Sequence, residues 1–195
     1  MTAKKPTASS VAFRPLTPDR WADFEALFGP RGACAGCWCM WWRRTRSEFT
    51  KNQGAGNRSA MKKIVESGEI PGILAYRGEK PVGWCSVAPR EAFPSLDRSR
   101  VLARLDGEPV WSIVCLFVAK EARGEGLAEK LADAAARHAK KNGARIVEAY
   151  PSVPRGKELP SFSSFMGVPS LYERAGFALA KRPSRAKAIM RRVVR

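Results

Sequence analysis

A segment rich in cysteine and tryptophan, GACAGCWCMWWRRTR at residues 32–46, carries side chains that could support several kinds of chemistry. It holds three of the chain's five cysteines and three of its six tryptophans. Cys34, Cys37 and Cys39 offer three thiolates to a metal, but structural zinc usually takes four ligands, and no second cysteine pair follows. His138, the chain's single histidine, falls on an apolar helix stripe. We therefore expect no metal, although Cys34 and Cys37 also have the spacing of a redox pair.

The tryptophans of this segment allow two further interpretations. Trp38, Trp41 and Trp42 are interleaved with arginines, as in platforms that stack nucleic-acid bases. The same side chains can instead form a small hydrophobic cluster beneath a loop. One cluster does not decide between these interpretations, and both remain open at the level of the sequence.

A second segment with chemical potential is ARGEGLA, at residues 122–128. Gly124 and Gly126 stand where an apolar run gives way to an amphipathic helical pattern. Free N–H groups at a helix N-terminus bind phosphate oxygens, glycines let a ligand approach the backbone, and Arg123 adds a charged group. The segment indicates an anion site, or alternatively only a tight turn.

The composition of the whole chain indicates the kind of partner, the compartment and the domain organisation. The 195 residues carry a formal net charge of +17, from 35 Lys and Arg against 18 Asp and Glu. An anionic partner is expected, either nucleic acid or a phosphate-rich cofactor. The odd cysteine count, the lack of a long apolar run and the lack of a secretory leader favour reduced thiols, a cytoplasmic location and no membrane association. Residues 1–10 are expected to be a disordered tail and residues 11–195 a single domain.

The periodicity of apolar residues predicts the strands and helices that must position the two segments. Strands are predicted at residues 10–16, 72–89 (a hairpin around RGEK), 109–119, 144–150, 177–182 and 186–194. Helices are predicted at residues 17–29, 57–68, about 124–141 and 169–176. The strand-helix-strand unit over 109–150 makes its two strands parallel neighbours, whereas short turns elsewhere favour antiparallel pairing. The fold class is therefore α/β (α+β) with a mixed sheet.

Two stretches resemble the GNAT superfamily of acyl-CoA-dependent N-acyltransferases. Residues 123–128, RGEGLA, are similar to its R/Q-x-x-G-x-G/A signature, and SLYERAGFALAKR at 170–182 is similar to its L-Y-E-x-x-G-F segment. The order of elements resembles that fold from about residue 11 to the end. The resemblance implies a mostly antiparallel central sheet, with a parallel strand pair at the cofactor helix and helices on its flanks.

The implied activity is transfer of an acetyl group from acetyl-CoA to a primary amine, by direct attack in a ternary complex. The alternative, from a different functional class, is a nucleic-acid-associated protein that uses the same fold without catalysis. Main-chain groups of one loop would bind the CoA pyrophosphate, and the end of the preceding strand would hold the pantetheine arm. The loop residues are Arg123, Gly124, Glu125, Gly126, Leu127 and Ala128, and the strand residues are Leu116, Phe117 and Val118.

Two residues, Tyr172 and Glu148, are candidates for catalysis. Tyr172 matches the tyrosine beside the CoA sulfur, where a phenol can protonate the departing thiolate. The position seven residues earlier, often an asparagine in the family, is Phe165. An attacking amine must lose a proton to a carboxylate, often through water, or by desolvation, and Glu148 is the only carboxylate inside a predicted core strand.

The resemblance also gives the cysteine and tryptophan segment a position. In the superfamily, the chain after the first helix commonly covers the acceptor side of the active site. Trp38 and Trp41 are then candidate substrate-binding residues in a pocket wall, beside arginines that can hold an anionic group. The expected partner is a small-molecule or peptide amine, and the expected assembly is a monomer or homodimer.

Overall fold

A computed structural model describes residues 10–154 and 165–195 of the chain. Of the expected disordered tail, residues 1–9 lie outside this range. In the described residues seven strands form one sheet in the order β1-β2-β3-β4-β5-β7-β6. Their bounds are Val11–Pro15, Gly72–Arg77, Lys80–Pro89, Trp111–Val118, Ile146–Ala149, Ala178–Ser184 and Lys187–Val193, numbered β1 to β7 along the chain.

The sheet pairing confirms the expected fold class. Neighbouring strands are antiparallel except for β4 and β5, which are parallel over Trp111–Ile113 and Val147–Ala149. The connection between them is a helix, as a parallel crossover requires. A shift in the β3–β4 register between Ser86 and Val87 adds an extra residue to β4 at Val114. Beyond this point the paired registers of β4 and β5 end.

Six α-helices of the described residues surround the sheet. They are Trp21–Phe28, Arg46–Lys51, Ala55–Glu66, Pro94–Asp97, Leu127–Lys141 and Pro169–Arg174, numbered α1 to α6. Among them, no helix is both long enough and apolar enough to cross a membrane.

Two helices begin three residues later than the sequence predicts, and α3 begins two residues earlier, at Ala55. The first helix was expected to begin at Pro18 with Thr17 as N-cap, but Pro18–Arg20 form a 3-10 turn and α1 begins at Trp21. The Thr17 hydroxyl accepts a hydrogen bond from the Arg20 guanidinium at 2.6 Å instead of capping the backbone. The long helix begins at Leu127 rather than near 124, because Gly126 is left-handed with φ 71°.

Helix α2 has no counterpart among the predicted helices. Its start is a capping box, in which the Thr45 hydroxyl accepts from the Glu48 backbone N–H and the Glu48 carboxylate accepts from the Thr45 backbone N–H. This T-x-x-E pattern is visible in the sequence and is a recognised helix start signal. The helix joins the cysteine and tryptophan segment to α3.

Apolar side chains pack on both faces of the sheet. Along β3, Trp84 belongs to the cluster that includes α1, α3 and the cysteine and tryptophan segment, whereas Cys85 belongs to the cluster beneath α5. This alternation is that of a strand buried on both faces. The cysteine and tryptophan segment therefore lies against the sheet and not in a separate lobe.

Candidate functional site

A cavity of about 870 Å³ lies where β4, the start of α5 and the cysteine and tryptophan segment meet. Its walls are mostly apolar, and α6 with Phe165 and Gly167 closes another side. The two stretches selected from the sequence, separated by about eighty residues, thus contribute to one site. This size is sufficient for the arm of a large ligand together with a small second molecule.

The glycine loop forms one end of the cavity. Gly124 and Gly126 have φ values of 81° and 71°, and a Cβ placed on either would meet no protein atom within 4 Å. Helix α5 follows with no side-chain cap, so its first N–H groups are available to an anion. The Arg123 Nε donates to the Val118 carbonyl at 3.0 Å, which joins the loop to the end of β4.

Five of the six predicted loop residues line the cavity, and the sixth does not. Arg123, Gly124, Gly126, Leu127 and Ala128 are lining residues. Glu125 forms an ion pair with Arg77. The Glu125 carboxylate is therefore held by a cation away from the lining. This arrangement fits the binding of a pyrophosphate by main-chain groups and the helix dipole.

The strand β4 supplies an open edge beside the loop. Residues Leu116, Phe117 and Val118 pair with β3 on one side and line the cavity. The parallel pairing with β5 ends at Ile113, so in the described part of the chain the second edge of 116–118 has no strand partner. An extended arm can hydrogen-bond to such an edge as an additional strand would.

Tyr172 lies one layer behind the cavity wall. Its neighbours Leu171 and Gly167 line the cavity, and the Tyr172 ring packs so closely that a Cβ on Gly167 would lie 3.0 Å from it. The phenol is fully buried and donates to the Met166 carbonyl at 3.1 Å. Burial raises the pKa of Tyr172 well above its usual value, with a smaller contribution from the Cys85 and Cys115 thiols. The phenol therefore keeps its proton at neutral pH.

Glu148 lies elsewhere. Its side chain is buried in β5 and does not line the cavity. The Arg191 Nε donates to Oε1 at 2.7 Å, the Tyr150 hydroxyl donates to Oε2 at 2.8 Å, and Arg90 Nη1 is 3.6 Å from Oε2. The carboxylate is thus neutralised inside the fold by two guanidinium groups. The structure does not bring Glu148 together with the loop or with the cysteine and tryptophan segment.

The two tryptophans predicted to bind substrate have different environments. Trp41 lines the cavity, where the Arg46 guanidinium lies 4.2 Å from its ring centroid and the Phe49 ring is 5.0 Å away. Trp38 does not line the cavity and is buried against Phe28, with ring centroids 5.6 Å apart. Trp41 is thus a wall residue, and Trp38 supports the wall from behind.

Cys115 and Phe165 are among the lining residues that sequence reasoning missed. Cys115 was interpreted as a small core residue, but it is partly exposed and lines the cavity. It shares a strand face with Phe117, and the alternation along β4 is the signal that could have identified it. Phe165 was noted only as a departure from the family pattern, yet it lines the cavity with its ring 6.4 Å from that of Trp41.

Metal binding was also considered for the cysteines. Cys34, Cys37 and Cys39 carry free thiols. Within residues 10–154 and 165–195, no group of three or more His, Cys, Asp or Glu side chains is arranged to hold a metal ion.

The glycine loop at a helix N-terminus, the single parallel strand pair and the open strand edge are the features that the resemblance to GNAT acyltransferases implies. A sequence model of the acetyltransferase (GNAT) family matches residues 37–157. This is more than half of the chain, and the chain belongs to that family. It is therefore an acyltransferase. A comparison with curated protein sequences gives no match.

Solved structures share the fold at low sequence identity. A mosquito arylalkylamine N-acetyltransferase-like protein is 14% identical, with a TM-score of 0.58 over 95% of this chain and 100% of that chain. The PaiA N-acetyltransferase of Thermoplasma acidophilum, in complex with coenzyme A, is 12% identical, with a TM-score of 0.53 over 95% and 99%. A GNAT acetyltransferase from Listeria monocytogenes is 11% identical, with a TM-score of 0.56 over 94% and 95%.

Proposed function

We propose that the protein transfers an acetyl group from acetyl-CoA to a primary amine, by direct attack of the amine in a ternary complex. The observation that carries the proposal is the continuity of one cavity from the glycine loop, along the open edge of β4, to the aromatic wall at Trp41. A donor held at the loop and an acceptor held at the wall would meet inside this cavity. Such positioning removes much of the entropy barrier of a two-substrate reaction.

The donor is assigned to the loop and the strand. Main-chain N–H groups of 124–128 and the Arg123 side chain hold the pyrophosphate, and the backbone of Leu116, Phe117 and Val118 holds the pantetheine arm. The donor supplies a thioester carbonyl that an amine can attack. Support comes from the open space above Gly124 and Gly126 and from the uncapped start of α5.

The two proton transfers of the reaction are assigned to groups other than the glycine loop and the strand edge. We assign protonation of the leaving sulfur to Tyr172, whose phenol carries its proton at neutral pH. This step requires the hydroxyl to leave the Met166 carbonyl and to reach the cavity, which Tyr172 does not line in this structure. Removal of the amine proton is assigned to desolvation by the apolar cavity, because the Glu148 carboxylate is bound to Arg191 and lies off the lining.

The acceptor side favours an amine with an aromatic or apolar body. Trp41, Phe49 and Phe165 provide rings, and Arg46 provides the charge nearest to them. Glu129 is the single carboxylate among the described lining residues, and Arg174 Nε donates to it at 2.7 Å beside the glycine loop. An acceptor that carries a carboxylate as well as its amine can pair with Arg46, whereas a polycation meets no counter-charge at the wall.

The direct experiment is a thiol-release assay with acetyl-CoA and four amines: phenethylamine, phenylalanine, spermidine and a short neutral peptide. Phenethylamine and phenylalanine form a matched pair that differs by one carboxylate. We expect turnover with an aromatic amine and little with spermidine. If no amine releases CoA, and duplex or single-stranded nucleic acid instead binds in a salt-dependent manner, the non-catalytic alternative replaces this proposal.

A further inference from the structure

Three thiols from two separate segments meet at the wall of the cavity. Cys37 and Cys39 come from the segment after α1, and Cys115 comes from β4, directly before the strand edge assigned to the donor arm. The Cys39 and Cys115 sulfurs are 3.6 Å apart. The Trp84 indole donates to the Cys39 sulfur at 2.7 Å, so the Cys39 thiol can donate its own proton to a neighbour.

The backbone around Cys37 is held in an unusual path. Ala33, Ala35, Trp38 and Cys39 all have positive φ, between 35° and 62°. Such conformations cost about 1–3 kcal/mol each and persist only where the surroundings impose them. Here the Gly36 carbonyl accepts from the Gly54 N–H at 3.0 Å, and a Cβ on Gly36 would lie 2.5 Å from that nitrogen. The path is therefore fixed by close packing against the start of α3.

This path places Cys37 on the lining of the cavity. The Cys39 thiol, followed by backbone N–H groups of Cys39, Cys34 and Cys37, lowers the pKa of Cys37 to about 6, against the opposing effect of burial. As a neutral thiol, Cys37 would donate to the Gly32 carbonyl at 3.5 Å. Burial raises the pKa of Cys39, so Cys39 keeps its proton at neutral pH. The lowered pKa favours the thiolate form of Cys37, whose side chain lines the cavity.

A nucleophile on this wall occupies the side from which the acceptor would attack. The described lining offers no carboxylate there, because its single one, Glu129, lies in the first turn of α5. An amine at this wall must be deprotonated before it attacks, whereas a thiolate already carries the electron pair. The chain itself therefore places a sulfur nucleophile on the wall of the cavity that is assigned to the donor.

We propose that Cys37 is an acetylation site, a second acyl acceptor that takes the acetyl group of acetyl-CoA when no amine is bound. The Cys37 Sγ attacks the thioester carbonyl, its bond to carbon forms, and the bond from carbon to the CoA sulfur breaks. CoA leaves as a thiolate and takes a proton from the cavity or from solvent. One thioester is exchanged for another, so no oxidant or reductant is needed. The inference rests on the proposed function for the donor, but it needs no knowledge of the amine.

The test uses the wild-type full chain and radiolabelled acetyl-CoA without any amine. Peptide mapping of the labelled protein should find the acetyl group on Cys37, and neutral hydroxylamine should remove it, as expected for a thioester but not for an amide. Cys37→Ser should lower the labelling rate by at least about tenfold, the ratio of thiolate fractions between a thiol of pKa 6 and an ordinary one at pH 7.5. Cys34→Ser is the matched control from the same loop, with an exposed thiol, and should keep the label.

Two measurements separate the possible failures. Calorimetry reports whether acetyl-CoA binds, independently of any transfer. If acetyl-CoA binds but the wild-type map shows no thioester on Cys37, this inference is overturned while the donor site stands. If acetyl-CoA does not bind at all, both the inference and the proposed function fail. Mapping the wild type keeps the test decisive even where Cys37→Ser folds poorly.

Discussion

The glycine loop can be tested by a pair of substitutions at the two ends of α5. Gly126 and Gly143 have φ values of 71° and 85°, and a Cβ on either meets no protein atom within 4 Å. Replacing either glycine by alanine should therefore cost the folded chain a similar amount, about 1–2 kcal/mol of left-handed strain. The two sites differ in one respect, because only Gly126 lies at the proposed pyrophosphate site.

The effect on the donor should fall on one variant alone. A methyl group at Gly126 would occupy space assigned to phosphate and displace at least one charge-assisted hydrogen bond, worth about 1.5–3 kcal/mol. This corresponds to an increase of about 10-fold to 150-fold in the dissociation constant of acetyl-CoA for Gly126→Ala. Gly143→Ala should bind acetyl-CoA within about twofold of the wild type. Urea unfolding and calorimetry measure the two quantities, and equal donor affinity in both variants would refute the assignment of the loop.

Four further predictions concern side chains in the cavity wall and behind it. Tyr172→Phe should lower kcat by at least about tenfold and leave donor affinity nearly unchanged, since general acid catalysis contributes that much or more; unchanged turnover would remove Tyr172 from the mechanism. Trp38→Ala should cost about 3–5 kcal/mol of stability in urea unfolding, because the side chain is buried, whereas Trp41→Ala should mainly change the ranking of amines; the opposite pattern would exchange their roles. Glu148→Gln should cost about 1–3 kcal/mol of stability, because buried Arg90 and partly buried Arg191 each lose one of their two carboxylate partners and keep Asp97 and Asp106 respectively; a loss of turnover at unchanged stability would instead restore Glu148 as the base. Alkylation of Cys37 by iodoacetamide should slow as the pH falls through about 6, where the thiolate gains its proton. The titratable groups near Cys37 are Cys39 and, beyond it, Cys115 and Arg43. A midpoint of the alkylation rate above pH 8 would contradict this environment.

Local signals in the sequence identify the donor side well. Gly124 and Gly126 interrupt a strand-to-helix transition, and the strand-helix-strand spacing requires β4 and β5 to be parallel. Both features depend on a few neighbouring residues, so periodicity and turn chemistry are sufficient. The capping box of Thr45 and Glu48 is equally local, and α2 was predictable from it.

The acceptor side depends on contacts that no local pattern encodes. The division between Trp38 and Trp41 accompanies the positive φ values of Ala33, Ala35, Gly36, Trp38 and Cys39, in a path where Gly36 packs closely against Gly54. The pairing of Cys39 with Cys115 joins positions 76 residues apart. The buried ion network of Glu148 likewise depends on Arg191, a cross-strand partner on β7. Periodicity can show that such residues are enclosed, but it cannot identify their partners.

A crystal structure of the chain grown with acetyl-CoA tests the central claim most directly. The account predicts pyrophosphate oxygens within hydrogen-bond distance of main-chain N–H groups of 124–128, and a pantetheine arm along Leu116, Phe117 and Val118. It also predicts that the sulfur lies between the wall of Trp41 and the thiols of Cys37 and Cys115. A donor bound elsewhere, or a glycine loop that stays empty at saturating acetyl-CoA, would contradict it.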